Sequence, residues 1–517
     1  MRKTSIYRAL AVMLALSAIL ALVACSAREE FVFEINENGE AILAGYHGKG
    51  GNVTVPKEWK GAPVVGVAPF AFVNKQSLRS VTLPSTVKEI GDYAFLGSAK
   101  MVAVYINTRN IVIGEGAFSG CLWLESIDLI GCREIPKWAF RNCTSLREVH
   151  MTEAERIGDG AFVGCRSLES VHIPDLVTEL GAGAFEGCTS LKSVKIEKRV
   201  EKIGFGCFKG APASIEFAEG AIFDDLGGGA FVGCLGETVE LPASVTKGGK
   251  GVFADCTSRI IFAEGANIAI TLGMFSGYKG NVIELPRGIS RIEGGAFSDS
   301  AAEIIFPDDG ILNSIESGAF KNYKGVSLTL PASVEYIGEG AFSGCTADIY
   351  FEDGFKMKHL PFGAFEGWRG ERIELPEGLI SIGDYAFSDC TKLKEIVIPE
   401  GVEIIPEGAF EMCESLGKID LGRVREIGKT AFFGCASLKS LVLPNTVEVL
   451  SEGAFGGCDI LSDVTIGSGV RFIGKMAFGQ CPALFEVKYN GVESDWERVE
   501  LVGDIEAIGY STVIFLK

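Results

Sequence analysis

The sequence predicts a repeat solenoid of short parallel strands, and three observations carry that prediction. Nineteen phenylalanines recur at intervals of 22 or 23 residues from Phe72 to Phe478. Each sits in a phrase of the form Ile-Gly-x-x-Ala-Phe-x-Gly-Cys, as at Ile113–Cys121 and Ile427–Cys435. Apolar residues follow the phenylalanine at fixed offsets: Leu78, Val81 and Leu83 after Phe72, and Leu438, Leu441 and Leu443 after Phe432. A unit of that length is too small to bury its own apolar face, so neighbours stack and share one continuous core.

Each part of the unit has a local reason. Val81-Thr82-Leu83 alternates like a strand with one face buried. Pro84 ends it by removing a ladder donor. The Gly-x-x-Ala-Phe phrase predicts a tight 3₁₀ or helical turn on the opposite flank. Stacked strands lie about 4.8 Å apart, so nineteen units predict a ribbon roughly 85–90 Å long.

Fifteen cysteines would ordinarily point to a disulfide framework in an exported chain. Their spacing points elsewhere. Twelve occupy one place, three residues after the repeat phenylalanine, as at Cys121, Cys143, Cys345 and Cys481. Ser98, Ala211 and Ser300 fill the same place. A site that takes Cys, Ser or Ala is a small enclosed slot, where cysteine behaves as a buried hydrophobe with a free thiol.

The first 24 residues lie outside the repeat. Arg2, Lys3 and Arg8 precede an apolar run from Ala9 to Ala24 broken only by Ser17, which reads as an export signal. Leu22-Val23-Ala24-Cys25 resembles a bacterial lipobox. That resemblance implies cleavage before Cys25 and lipidation of its thiol; the plainer alternative is an ordinary signal with a chance cysteine. Residues 25–30 would then be a short tether, in which Ser26 to Glu30 span at most ~17 Å, holding the solenoid at the membrane of the cell envelope. The net charge of −19 makes nucleic acid and anionic membrane surfaces poor partners.

The repeat phrase, with its Cys-x-x-Leu continuation and Ile-Pro or Leu-Pro strand ends, resembles the BspA-like leucine-rich repeat surface proteins over essentially the whole chain after the leader. The resemblance implies a right-handed leucine-rich-repeat solenoid over 65–487. It also implies an N-terminal cap over 31–64 and a C-terminal cap over 488–517, the latter carrying Tyr489-Asn490-Gly491 and Trp496. In function it implies a cell-surface, lipid-anchored adhesion or protein-binding role. Host extracellular-matrix proteins or neighbouring cells are the implied partners.

A second period lies in the middle. Over 208–386 the units alternate between Ile-x-Phe strands with acidic turns and Leu-Pro strands, giving a double repeat of 44–45 residues. Three Leu-Pro units put a bulky ring into the small slot, beside a cation: Tyr278-Lys279, Tyr323-Lys324 and Trp368-Arg369. Either the loop differs there, or the rings turn outward and form an aromatic row suited to glycans or a protein hot spot.

The strand ribbon offers a second candidate. Asp128, His150, His172 and Lys195 share one outward strand position in successive units, and neighbouring imidazoles suit metal or pH-sensitive binding. A solvated polar row is the plainer alternative. In the double-period block the same position runs Glu216, Glu240, Ile261, Glu284, Ile305, Thr329, Tyr350 and Glu374, so apolar residues there form a partner patch if the strand phase holds. No nucleophile elbow, HExxH, P-loop or dinucleotide fingerprint occurs, and the chain has four histidines. Neither catalysis nor a cofactor is expected. A passive surface scaffold is the remaining alternative function.

Overall fold

Each unit is one coil of chain, illustrated by the coil around Phe118. The computed structural model of the protein describes residues 30–222, 225–503, 508 and 511–516. Ser126–Asp128 forms a strand with only Ile127 buried, and it pairs in parallel with Glu148–His150 of the next coil. Past the corner, the two-residue strand Glu134–Ile135 pairs in parallel with Arg156–Ile157. The alternation of polar and apolar residues thus puts one side chain per strand into the core and its neighbours into water.

The third flank is the glycine-rich turn. Ala117 N–H donates to the Gly114 carbonyl, Ser119 to Gly116 and Cys121 to Phe118, each bond closing a 3₁₀-like turn. Gly116 (φ 60°) and Gly120 (φ 72°) are left-handed, so the turn cannot run on as a helix. Among the described residues the only α-helix is Glu493–Trp496.

The phenylalanines form a single column through the core. Successive ring centroids lie 4.9–5.8 Å apart with planes within 17°. Nearly parallel rings that far apart are slid sideways, the offset stacking that the ring quadrupole favours. Beneath the rings runs a backbone ladder. Every phenylalanine from Phe72 to Phe455 donates its N–H to the residue preceding the next phenylalanine, at 2.7–3.0 Å. At the ends, Tyr46 stacks on Phe72 at 5.3 Å, and Trp496 packs edge-on to Tyr489 at 5.0 Å.

The cysteine slot has a chemical reason as well as a size. Cys143 donates its thiol to the Phe118 carbonyl of the preceding coil at 3.1 Å, Cys165 to Phe140 at 3.1 Å and Cys413 to Phe387 at 3.1 Å. Ser98 does the same to Phe72 at 2.6 Å. The slot therefore favours a small donor, although Ala211 fills it by size alone. All fourteen described cysteines are buried and unpaired, and burial pushes the Cys143 and Cys188 thiols up to about 12.

In the double-period block the strand ribbon divides. Val282–Glu284 pairs with Glu303–Ile305, and Ser327–Leu330 pairs with Asp348–Phe351, but no ladder joins one pair to the next. The three bulky rings stand at divisions of this kind, which also occur at cysteine coils outside the block, as between Lys418–Asp420 and Ser440–Val442. Tyr278, Tyr323 and Trp368 are fully buried, which corrects the outward aromatic row. Each stands edge-on to the phenylalanine of its own coil. Their polar tips donate backwards to the Ser258, Ala302 and Ala347 carbonyls at 2.7, 2.5 and 2.8 Å.

Volume explains the exchange. An ordinary coil buries both a cysteine and a leucine, such as Cys121 and Leu124. The central coils have no such leucine and reach the strand sooner: eight positions separate Phe320 from Leu328, against nine from Phe118 to Ile127. In three of them a ring occupies this space, whereas the coils of Cys234, Cys256 and Cys345 also lack the leucine and keep the cysteine. The preceding coil makes room with a small buried residue, Ala302 under Tyr323 and Ala347 under Trp368.

Ser258 occupies the equivalent place under Tyr278, and its hydroxyl, fully buried, makes no hydrogen bond of ordinary geometry and faces only the weakly bonding thiols of Cys234 and Cys256. Orphaned buried donors cost about 1–3 kcal/mol. We expect Ser258→Ala to raise the urea midpoint, by a stability gain of about 1 kcal/mol, with Ser327→Ala on the exposed ribbon as an unaffected control; an unchanged or lowered midpoint for Ser258→Ala would contradict this packing.

Candidate functional site

The candidate site is the outward face of the strand ribbon, because every strand there spends its buried position on the core and leaves its flanking residues free. The strand phase holds along the whole row. Asp128, His150, His172 and Lys195 are all exposed. Asp128 is in register with His150, Lys195 with Glu216, Glu284 with Ile305 and Thr329 with Tyr350.

The row continues past Glu374 into a part that the sequence reading did not follow. Val397, Asp420 and Val442 occupy the same outward position, with Val397 opposite Asp420. Ile305, Tyr350, Val397 and Val442 are 42, 54, 57 and 69% exposed. The signal was present in the sequence: the same offset beyond Phe387 and Phe432 leads directly to the two valines. Between Glu374 and Val397 the ribbon opens into a cleft of about 640 Å³ floored by Ile373 and Ile396, with Pro399 at its edge. Its rim carries the Arg372–Glu395 ion pair at 2.9 Å.

The predicted ligand-binding cations lie away from this face. Lys279 pairs with Asp255 at 3.3 Å, Lys324 with Asp299 at 3.6 Å and Arg369 with Asp389 at 3.5 Å. Arg369 also donates to Thr391 Oγ1 at 2.6 Å. Each aromatic–cation pair is thus split, with the ring in the core and the cation bridging neighbouring coils at the surface. Cys25 lies outside the described residues.

His150 is the most strongly held polar residue of the first block. Its Nδ1 meets Asp128, and its Nε2 lies 2.9 Å from Glu148 Oε1. His172 takes no part in this cluster, and among the described residues no group of three or more His, Cys, Asp or Glu is placed to hold a metal ion. The hydrogen bond to Asp128, then that to Glu148, raises the His150 pKa above its ordinary value of 6.5. A raised folded-state pKa stabilises the fold fully below about 6.5, and the benefit disappears as pH climbs through the folded value. Imidazole NMR titration should therefore find His150 above the ordinary value of 6.5, and Asp128→Asn should lower its midpoint; a midpoint unmoved by Asp128→Asn would refute the cluster.

Comparison with known proteins follows from this geometry. The sequence profile described as the BspA type leucine rich repeat region (6 copies) matches residues 66–192, 134–260, 268–356 and 358–485. Among solved structures, the chain is similar to a leucine-rich repeat protein from Bacteroides ovatus at 21% identity, covering 96% of this chain and 100% of that one, with a TM-score of 0.32. It is also similar to a leucine rich cell surface protein from Faecalibacterium prausnitzii at 22% identity, covering 92% and 98%, with a TM-score of 0.36. A leucine rich repeat protein of T. pallidum is 30% identical over 41% of this chain and 90% of that chain, with a TM-score of 0.30. Among curated proteins, none matches. No helix among the described residues is long and apolar enough to cross a membrane. The matched profile spans most of the solenoid, and the chain belongs to the BspA-type leucine-rich repeat family.

Proposed function

We propose that this protein is a cell-surface adhesion module that captures a protein partner on the C-terminal half of its strand ribbon. The observation that carries this reading is the set of exposed apolar side chains Ile305, Tyr350, Val397 and Val442, which are denser on this half of the ribbon than at its N-terminal end, where Tyr105 holds the same outward position. Isolated apolar residues are ordinary on surfaces, but a regular file of them is a feature of binding faces. Family membership supports a protein-interaction role on a non-enzymatic scaffold. The carbohydrate alternative loses its basis, because the rings it needed are inside the core.

The remaining parts are read to match. Residues 1–24 direct export, Cys25 carries lipid, 25–30 form the tether, and caps over 31–64 and 488–517 close the solenoid of 65–487. Extracellular-matrix proteins and the surfaces of neighbouring cells are the partners that suit such a display.

Two measurements test this. On an array of extracellular-matrix proteins, the triple variant Ile305→Asp, Tyr350→Asp, Val397→Asp should lose captured protein by at least about tenfold, with an unchanged circular dichroism spectrum. Equal capture by parent and variant moves the site off the ribbon, and no capture by either leaves a passive scaffold. In cells fed an alkyne-tagged fatty acid, the parent should take up label and Cys25→Ala should not; label retained by the variant would end the lipid-anchor reading.

A further inference from the structure

We propose that Cys234 and Cys256 are an oxidisable pair, which a small disulfide converts into a covalent staple between two coils of the double-period block. Two observations lead to it. The first is the direction of the thiols. In the coils of Cys121 to Cys188 and Cys390 to Cys481, the slot thiol donates to the phenylalanine carbonyl of the preceding coil, at 3.1–3.6 Å. Cys234 donates instead to the Ala213 carbonyl at 3.3 Å, and Cys256 reaches only the Ser258 carbonyl, at 4.0 Å. Turned away from the phenylalanine carbonyls, the two thiols hydrogen-bond to each other.

The second observation is the setting of the pair. The Ser258 hydroxyl faces both thiols, whereas the equivalent coils carry Ala302 and Ala347. The Cys256 hydrogen bond holds the Cys234 thiol below its ordinary value, against the opposing effect of burial, so Cys234 is the attacking sulfur. Two other pairs of thiols touch, Cys390 with Cys413 and Cys458 with Cys481. All four of those also hold a phenylalanine carbonyl. Cys345 has Tyr323 and Trp368 in its neighbouring slots and no thiol beside it. Among the described residues, Cys234 and Cys256 are thus the pair that is both in contact and released from the carbonyl column.

Spacing and charge then select the product. The rings of Phe231 and Phe253, three residues before the two cysteines, lie 5.5 Å apart, and a disulfide joins Cα atoms about 4.4–6.8 Å apart. A metal ion suits the site less well. Among the described residues no third His, Cys, Asp or Glu completes a set of ligands, and bound metal thiolates would bury charge where a disulfide is neutral. In the reaction, the Cys234 thiolate attacks one sulfur of the small disulfide, forming a mixed disulfide and releasing one thiol. Cys256 then attacks the Cys234 sulfur, and the second thiol leaves. Two protein thiols are oxidised to one disulfide, the small disulfide is reduced to two thiols, and the two cysteine protons end on them. Both sulfurs are buried, but Leu235 beside Cys234 is 59% exposed, so the oxidant enters by local opening of that turn. The product holds the coils of Phe231 and Phe253 together independently of the hydrogen bonds between them.

The test uses the folded full chain, reduced, freed of reductant and incubated with oxidised glutathione. Samples are quenched over time with iodoacetamide, digested with trypsin without reduction and read by mass spectrometry. Trypsin cuts after Lys247 and Lys250, so the link appears as two joined peptides. We expect Cys234–Cys256 to form at least about tenfold faster than Cys390–Cys413 or Cys458–Cys481. Cys234→Ala and Cys256→Ala should each abolish it, in a slot that Ala211 shows to accept alanine. The linked chain should also unfold at a higher urea midpoint than the reduced chain. Joined peptides that never appear overturn the inference, as does glutathione that stays on Cys234 without closure. Equal rates at the three thiol pairs overturn it too, because release from the carbonyl column would then count for nothing. A linked chain with a lowered midpoint would show a distorted joint and end the staple.

Discussion

The structure hangs on one backbone contact repeated along its length: the phenylalanine N–H of each coil donating to the carbonyl that precedes the next phenylalanine. It fixes the rise between coils, and the ring column then fills the space that the rise defines. This ladder runs unbroken from Phe72 to the bond between Phe455 and Ala477, whereas the strand ladders stop and restart. The slot residue completes the arrangement by giving the phenylalanine carbonyl a second donor, the thiol of the next coil. Cysteine here is a hydrogen-bonding filler; burial raises thiols such as Cys143 and Cys188, whereas Cys234 and Cys481, each hydrogen-bonded to the thiol of a neighbouring coil, are lowered.

Because the turn flank holds the coils in step, the strand flank is free to vary. In the double-period block, Tyr323 and Trp368 each stand in for a cysteine and a leucine, and the small residue of the preceding coil accommodates them. The ribbon divides at these places without any change in the phenylalanine column. Outward strand positions carry even less structural duty. Apart from cross-coil pairs such as Asp128–His150, their side chains contribute little to the stack, so chemistry placed there reflects what the surface meets.

Much of this was legible in the sequence, for identifiable reasons. A period near 22 with a fixed phenylalanine phrase admits only stacking, and the alternation in Ser126-Ile127-Asp128 sets the strand phase that the register to His150 bears out. The small slot was legible from its occupants, Cys, Ser and Ala. What the phrase could not reveal was which way Tyr278, Tyr323 and Trp368 face. That depends on a deficit elsewhere in the coil, the missing leucine and the shorter path to the strand, and a local motif carries no volume account. Helical geometry in the turn was only half right in detail. The i→i+3 bonds are there, but left-handed Gly116 and Gly120 interrupt them. The valines at 397 and 442 stand at the same offset from their phenylalanine as Asp128 and His150, beyond the first and double-period blocks to which the reading of the row was confined.

The direction of the inter-coil bonds has a mechanical consequence. Both ladders point along the solenoid axis, so a pull applied between the two ends loads the joints in series, each bearing the whole force by itself. A joint that no strand ladder crosses on either flank, such as that between Val112–Ile113 and Glu134–Ile135, holds on by fewer bonds than that between Val449–Leu450 and Phe472–Ile473, where both flanks pair. Under tension such unladdered joints would open first, coil by coil. The chain released there would lengthen the tether and relieve the load on the ends.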